Sequence, residues 1–354
     1  MTDEMRLQEF LGRYVQEVSA AMSAPLILIG ERLGLYRALV GKEPMTPKQL
    51  AEATGTEERY VREWLCAQAA GGFVTYHPEF EPEERFSLPN WLIPALVDTE
   101  SPFCVLGSPK SMTAAFHDVP VIEEAFRTGR GVGWGEHHTC LFQGTEQFYR
   151  AAYLGNLIQN WIPALEGVAE KLTAGAKVAD VGCGHAASTI LMAQAFPQSR
   201  FWGIDFHADS IETARARAEK AGVAERMHFA VDRAQDYTEG DFDLVCLFDC
   251  LHDMGDPVGA VENVRRSLKP EGTLMIVEPF ASDRIADNLN PIGRIFYAAS
   301  TLFCTPSARS QEGGMALGAQ AGESRLRDVV TAGGFTQFRR AASTPFNLIL
   351  EARP

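Results

Sequence analysis

The sequence predicts a doubly wound, mostly parallel α/β sheet closed by an antiparallel C-terminal hairpin, preceded by a small winged-helix domain. Short apolar runs alternate with helical stretches from about residue 171 onward, the pattern of βαβ units. The first of those runs ends in a glycine-rich turn, Gly182-Cys-Gly184. The front of the chain instead packs three short helical stretches and two strand-like runs into fewer than 100 residues. Domains are expected over 1–95 (winged helix and dimerisation), 96–170 (helical linker and lid) and 171–354 (the α/β sheet).

Composition narrows the classes open to this chain. With 354 residues, 46% hydrophobic and 22% charged, it has core enough for one or two globular domains. The longest apolar run, Ala24 to Gly30, is followed at once by Glu31-Arg32 and is too short to span a bilayer. The acidic start Met1-Thr-Asp-Glu is unlike an export signal, so a cytoplasmic protein with no membrane partner is expected. A net charge of −14 argues against nucleic acid as a partner. The seven cysteines form no Cys-x-x-Cys pair, which points to buried thiols rather than a disulfide scaffold or structural zinc.

In the front domain, Leu26–Val40 carries apolar residues at helical spacing. Thr46-Pro47-Lys48-Gln49 has a cap, a proline at the first helical position and a glutamine at the third. A helix over Glu57–Ala70 follows, burying Val61, Trp64 and Leu65. Phe73–Tyr76 and Arg85–Leu88 read as the strands of a wing. This fold often reads DNA, but residues 1–100 hold 16 acidic against 9 basic side chains. The candidate recognition helix opens Glu57-Glu58 and the wing is Glu79-Phe-Glu-Pro-Glu-Glu84, which repels phosphate. Homodimerisation and covering of a site fit this surface better. Between the halves, Phe142 to Trp161 is an aromatic helix, and its Tyr149, with His138 of the preceding His137-His138 pair, is placed as a lid against a small-molecule substrate.

In the second half, strands are expected over 177–181, 200–205, 226–231, 241–249 and 272–278, with Asp209 capping a helix over 210–222. Gly333–Phe338 and Phe346–Glu351 read as the closing hairpin. Gly182 and Gly184 let a ligand approach the backbone where a helix begins. Asp205, 21 positions after Gly184 and at the end of the next strand, suits the two hydroxyls of a ribose. Asp232 and Asp249 are further strand-end acids. The loop also fits a dinucleotide fingerprint through Ala187, so a nicotinamide-dependent oxidoreductase is a rival reading. Asp180 inside the first strand and the closing hairpin weigh against it.

These residues resemble class I S-adenosylmethionine-dependent methyltransferases, whose sheet is Rossmann-like. Val178-Ala-Asp-Val-Gly-Cys-Gly184 is similar to their first motif and Gly203-Ile-Asp205 to their ribose-binding acid. Asp243-Leu-Val-Cys-Leu-Phe-Asp249 resembles the fourth-strand motif, and Leu268-Lys-Pro-Glu-Gly272 the turn before the fifth strand. With the front domain, the whole resembles an actinobacterial-type two-domain group akin to small-molecule O-methyltransferases. The resemblance implies S-adenosylmethionine as cofactor. Gly182 and Gly184 would lie against its methionine part, Asp205 and the adjoining Phe206 by the ribose, Asp232, Arg233 and Ala234 near the adenine, and Phe248 and Asp249 beside them. Two departures stand out: Ala186 replaces a frequent glycine, and Arg233 stands where an acid is usual.

Methyl transfer from a sulfonium needs alignment and, for a hydroxyl acceptor, removal of a proton. His252, in Leu251-His-Asp-Met254 just past the fourth strand, is placed as that general base, similar to the family's His-Asp-Trp base with Met254 for Trp. Asn290-Pro291 is expected to open a helix with Asn290, Arg294, Tyr297 and Thr301 along one face, and Arg294 and Tyr297 are placed against substrate. Asp249 and Asp253 alone make no carboxylate cluster for a metal-assisted reaction, so no metal is expected. A cofactor-sensing winged-helix regulator and a catalytically silent dimer partner are the remaining alternatives.

Overall fold

The computed structural model describes residues 1–354. The chain divides into two compact units, one of residues 1–116 and 139–151, the other of residues 117–138 and 152–354.

The first unit opens with a 30-residue helix, α1 (Asp3–Arg32), capped by Thr2 Oγ1, which accepts from Met5 N at 3.3 Å. The helical stretch expected over 26–40 is therefore divided. α1 ends at Arg32, the chain turns through Gly34, and α2 (Leu35–Leu39) restarts. α1 runs through Pro25 and holds every residue from Asp3 to Met22 exposed. α3 (Pro47–Thr54) carries the expected reciprocal cap, Gln49 N to Thr46 Oγ1 at 3.2 Å and Thr46 N to Gln49 Oε1 at 2.9 Å. α4 (Glu58–Ala70) is capped by Glu57, whose carboxylate accepts from Arg59 N at 2.8 Å. The wing strands are shorter than expected, β1 (Thr75–Tyr76) against β2 (Phe86–Ser87), with a bridge from Met45 to Phe86. Leu39, Leu50, Leu65, Trp64 and Phe86 form the core, and Trp64 Nε1 donates to Leu26 O at 2.9 Å. α5 (Ile93–Leu96) and α6 (Gly107–His117) follow.

The second unit begins with α7 (Val119–Thr128). After α8 (Cys140–Asn156), which starts in the first unit, a π-helical turn covers Leu157–Trp161. Beyond α9 (Val168–Ala174) the chain alternates as expected: β3 (Lys177–Val181), α10 (Ala187–Ala195), β4 (Arg200–Asp205), α11 (Ala208–Lys220), β5 (Met227–Val231), β6 (Phe242–Phe248), α12 (Pro257–Ser267) and β7 (Leu268–Pro279). Then come α13 (Pro291–Ala299), a second π-helical turn at Ser300–Cys304, α14 (Thr305–Ser310), α15 (Gly322–Ala332), β8 (Gln337–Ser343) and β9 (Asn347–Arg353). Strand order is β5-β4-β3-β6-β7-β9-β8, with β9 antiparallel to both neighbours and the rest parallel. The chain reverses its winding between β3 and β6, where α/β sheets take their ligands.

Three details differ from the sequence reading. His207, not Asp209, sits at the N-cap of α11. Gly333–Thr336 is the turn after α15, so the closing strand starts at Gln337. β7 begins four residues early because Leu268 pairs with Phe242 across a register shift.

Candidate active site

The cofactor-type half of the site is built on the carboxyl ends of β3 and β4. Gly182 (φ 78°) lies so close to Cys250 that a Cβ would stand 2.7 Å from its sulfur. Gly184 (φ 50°) faces open space, with no heavy atom within 4 Å of the place a Cβ would take. Glycine meets both demands without strain. Gly184 N–H donates to Asp205 Oδ2 and His207 N–H to Asp205 Oδ1, each at 2.9 Å. Burial raises the Asp205 carboxyl above its ordinary range, and the bonds from His207 and Gly184 offset part of that rise. Each carboxylate oxygen keeps a lone pair, since two oxygens offer about four acceptor sites. Ala186 adopts φ 59° at the N-cap of α10; its departure from glycine costs about 1 kcal/mol of left-handed strain.

Beneath this loop, Asp180 is fully buried. Ser188 Oγ and Thr189 Oγ1 at the start of α10 both donate to its Oδ2 at 2.6 Å, tying the helix to β3. Burial pushes the Asp180 carboxyl up to about 6 against those two bonds. A carboxyl whose pKa is higher folded than unfolded favours the native state while it is protonated. That contribution is complete below about pH 4 and is lost as pH rises through about 6, worth about 2–3 kcal/mol. Asp180→Asn is therefore expected to gain stability relative to the parent by that amount between pH 4 and 6.5 in denaturant titrations. A difference that stays flat with pH would contradict the assignment.

At the ends of β4 and β5, Phe206 is exposed at the tip of β4, Asp232 and Arg233 are exposed after β5, and Ala234 is half-buried against the sheet core. Asp232 N–H donates to Asp205 O at 3.1 Å, which joins the two strand ends. Arg233 lies 3.6 Å from Asp236 and 3.7 Å from Glu312.

The second half of the site lies past β6. Phe248 is buried, its ring centroid 5.4 Å from that of Tyr153. Asp249 is buried with φ 51° and accepts from Tyr153 Oη at 3.0 Å. Pairing of Phe248 with Val277 sets Asp249 and Glu278 side by side at the ends of β6 and β7. Burial first, then the neighbouring Glu278, pushes the Asp249 carboxyl well above its usual range.

His252 follows in the turn Leu251–Asp253 and is 1% exposed. Its Nδ1 donates to Glu278 Oε2 in a short hydrogen bond, and Glu278 Oε1 accepts from Leu251 N at 2.9 Å and His252 N at 3.3 Å. On the far side Nε2 stands 3.0 Å from Asp253 Oδ1. Burial alone would lower the His252 pKa. Asp253 and then Glu278 outweigh it and raise the ring well above the ordinary histidine range. Cys250 Sγ donates to Val181 O at 3.2 Å, so the His252 turn and the Gly182 loop are neighbours in one site.

The residues expected against substrate lie on other elements. Asn290 is spent as the cap of α13, accepting from Ile292 N at 3.0 Å and Gly293 N at 2.9 Å. Arg294 is exposed and Tyr297 half-buried on α13. Thr301 lies in the π-helical turn, and its hydroxyl donates to Tyr297 O at 2.8 Å. His138 is half-buried, its ring 4.5 Å from that of His117 and its N–H on Asp118. Its neighbour His137 is buried, with Nδ1 on Asp118 Oδ2 at 2.8 Å and its ring edge-on to Phe303. Tyr149 belongs to the first unit, half-buried and edge-on to Phe148.

Sequence reasoning missed Glu278 and Tyr153 as partners of the site. A charged residue closing the buried run Thr273–Val277 was the available signal for Glu278.

Comparison with known proteins gives the class. Residues 172–305 match the model of a methyltransferase domain, and residues 20–92 that of an Rv2258c-like winged HTH domain. The chain thus carries a methyltransferase domain behind a winged-helix domain. Among curated relatives, 27-O-demethylrifamycin SV methyltransferase of Amycolatopsis mediterranei is 30% identical over 37% of this chain and 51% of its own length. Ubiquinone biosynthesis O-methyltransferase of Actinobacillus pleuropneumoniae (serotype 5b, strain L20) is 29% identical over 28% of this chain and 44% of its own. The chain thus spans about half or less of the curated relatives it matches. Solved structures align along nearly their whole length. Human N-acetylserotonin methyltransferase in complex with SAM gives a TM-score of 0.70 at 16% identity, covering 100% of this chain and 98% of the other. CalO1, a methyltransferase in calicheamicin biosynthesis in SAH-bound form, gives 0.65 at 21% identity and 99% coverage of both. At such identities the likeness is one of fold.

Proposed function

We propose that this protein transfers the methyl group of S-adenosylmethionine to an oxygen of a small-molecule acceptor, with His252 as general base. The observation that carries the reading is one site combining an open Gly182/Gly184 loop, a strand-end Asp205 and a buried histidine backed by Glu278. The cofactor supplies an activated methyl group on a sulfonium. Gly184 leaves room for its approach, Asp205 takes the ribose hydroxyls, and Asp232, Arg233 and Ala234 flank the adenine. Phe248 and Asp249 line the cofactor beside Tyr153. Glu278 fixes the His252 ring by holding Nδ1–H, and Nε2 becomes the proton acceptor once the proton that the Asp253 contact retains there has passed to solvent. The acceptor hydroxyl displaces Asp253, whose side chain is 23% exposed, and its proton moves to Nε2 as the methyl group transfers. Glu278 on Nδ1 stabilises the imidazolium that results. His138, Tyr149, Arg294 and Tyr297 are assigned to the acceptor side, and Arg294 favours an acceptor bearing an anionic group.

Incubation with S-adenosylmethionine and a panel of phenols, hydroxy acids and amines tests this, with S-adenosylhomocysteine formation as readout. Oxygen-methylated product supports the reading, and transfer confined to nitrogen acceptors contradicts the assigned atom. The antiparallel β8–β9 pair favours this reading over a nicotinamide enzyme. The acidic wing, with Glu84 held by Arg62 at 2.6 Å, favours it over a DNA-binding regulator. No helix of the chain is long and apolar enough to cross a membrane, in keeping with a cytoplasmic site of action.

The partner of α1 is a second copy of this chain. Leu7, Leu11, Tyr14 and Val18 are 54, 44, 53 and 43% exposed, at spacings of four, three and four residues that form one continuous apolar seam. A homodimer is expected at micromolar concentration in sedimentation experiments, and the pair Leu11→Glu, Val18→Glu is expected to convert it to monomer. A parent protein that sediments as monomer would remove this assignment.

A further inference from the structure

We propose that His252 Nε2, Asp253 Oδ1 and Cys304 Sγ are the three protein donors of a site for a soft divalent cation of the Zn2+ type, and that filling it switches methyl transfer off. These three atoms lie within 4.8 Å of one another. Tetrahedral zinc, with bonds of about 2.0–2.3 Å, sets its donors roughly 3.3–3.7 Å apart, so the cluster needs side-chain movements of about 1 Å. The nitrogen–carboxylate separation is already 3.0 Å.

Four further features support a metal over a plain ion pair. Glu278 holds the other ring nitrogen of His252, the arrangement that orients most metal-binding histidines. Asp253 Oδ1 faces His252 Nε2 at 3.0 Å and interacts with the Cys304 thiol, so the three donor atoms already face one another. Cys304 is buried at the last position of a π-helical turn, a distortion often found at functional sites. Asp249, Asp253 and Glu278 crowd around a single histidine, so the pocket carries an excess of acidic groups that a cation would balance. Thiolate and imidazole donors select Zn2+ or Co2+ over Mg2+ or Ca2+. Three protein donors leave a fourth position open, and the part-exposed Asp253 is the side from which an ion enters.

On binding, the Cys304 thiol proton and the Nε2 proton pass to solvent and the metal takes their places. The nitrogen needed by the acceptor's proton is then occupied. No metal-assisted reaction is expected from the sequence, and this ion supplies none. The switching half of the proposal rests on His252 as base; the metal-binding half stands without it.

The test is titration of the full chain with Co2+ in the absence of cofactor. One equivalent is expected to produce a thiolate-to-cobalt charge-transfer band, absent in Cys304→Ser and bleached by Zn2+. Glu278→Gln is expected to weaken Co2+ affinity by about 10–100-fold. S-adenosylhomocysteine titrations of each variant report an intact fold, and Cys304→Ala serves where Cys304→Ser does not bind it. No band in the parent, or the same band in both Cys304 variants, overturns the site. If the band behaves as expected, added Zn2+ should abolish methyl transfer while leaving S-adenosylhomocysteine binding in place. Undiminished turnover with the metal bound overturns the switch alone. Loss of the band with His252-dependent turnover intact overturns the site and leaves the proposed function standing.

Discussion

His252→Ala is expected to lower methyl-transfer turnover by about 10²–10⁴-fold, the usual contribution of a positioned general base, with S-adenosylhomocysteine affinity changed by less than about threefold. The split arises because the ring touches Glu278 and Asp253 and not the Gly184 loop. The substitution also strands Glu278, 2% exposed, and an uncompensated buried charge costs about 3–5 kcal/mol. The double variant His252→Gln, Glu278→Gln removes that charge and keeps a hydrogen-bonded pair. It should bind S-adenosylhomocysteine, fold at room temperature and remain as slow as His252→Ala. Turnover within tenfold of the parent in either variant would take the base role away from His252.

Asp205→Ala is expected to weaken S-adenosylhomocysteine binding by at least about 10-fold, since hydrogen bonds to a charged group are worth about 1.5–3 kcal/mol. Part of the loss comes through the protein itself. Asp205 accepts from Gly184 N and His207 N, so its removal loosens the loop that faces the ligand. Asp205→Asn keeps one acceptor oxygen and should lose less. Calorimetry separates the two variants, and equal affinity for parent and alanine variant would contradict the ribose assignment.

Local chemistry made much of this legible beforehand. Thr46, Pro47 and Gln49 specify a helix start from four adjacent residues, and Asn290-Pro291 does so again. Gly182, Gly184 and Asp205 come together because a short βαβ unit brings consecutive strand ends side by side. Glu278 was hidden for the opposite reason. It meets His252 only through the pairing of β6 with β7, a register that the intervening residues do not announce. Cys304 reaches the same place through a π-helical turn, which apolar spacing reads as ordinary helix. The length of α1 escaped notice because Pro25 ordinarily breaks a helix and because its apolar seam finds no partner within its own chain. The insertion of β9 between β7 and β8 likewise follows from tertiary packing, while the strands themselves are plain in the sequence.

Calorimetric titration of the purified chain with S-adenosylhomocysteine, with NADH as control, tests the central claim most directly. Micromolar binding of one S-adenosylhomocysteine per chain, with no heat from NADH, is the predicted result. A folded sample that ignores S-adenosylhomocysteine, or that takes up NADH instead, would contradict it.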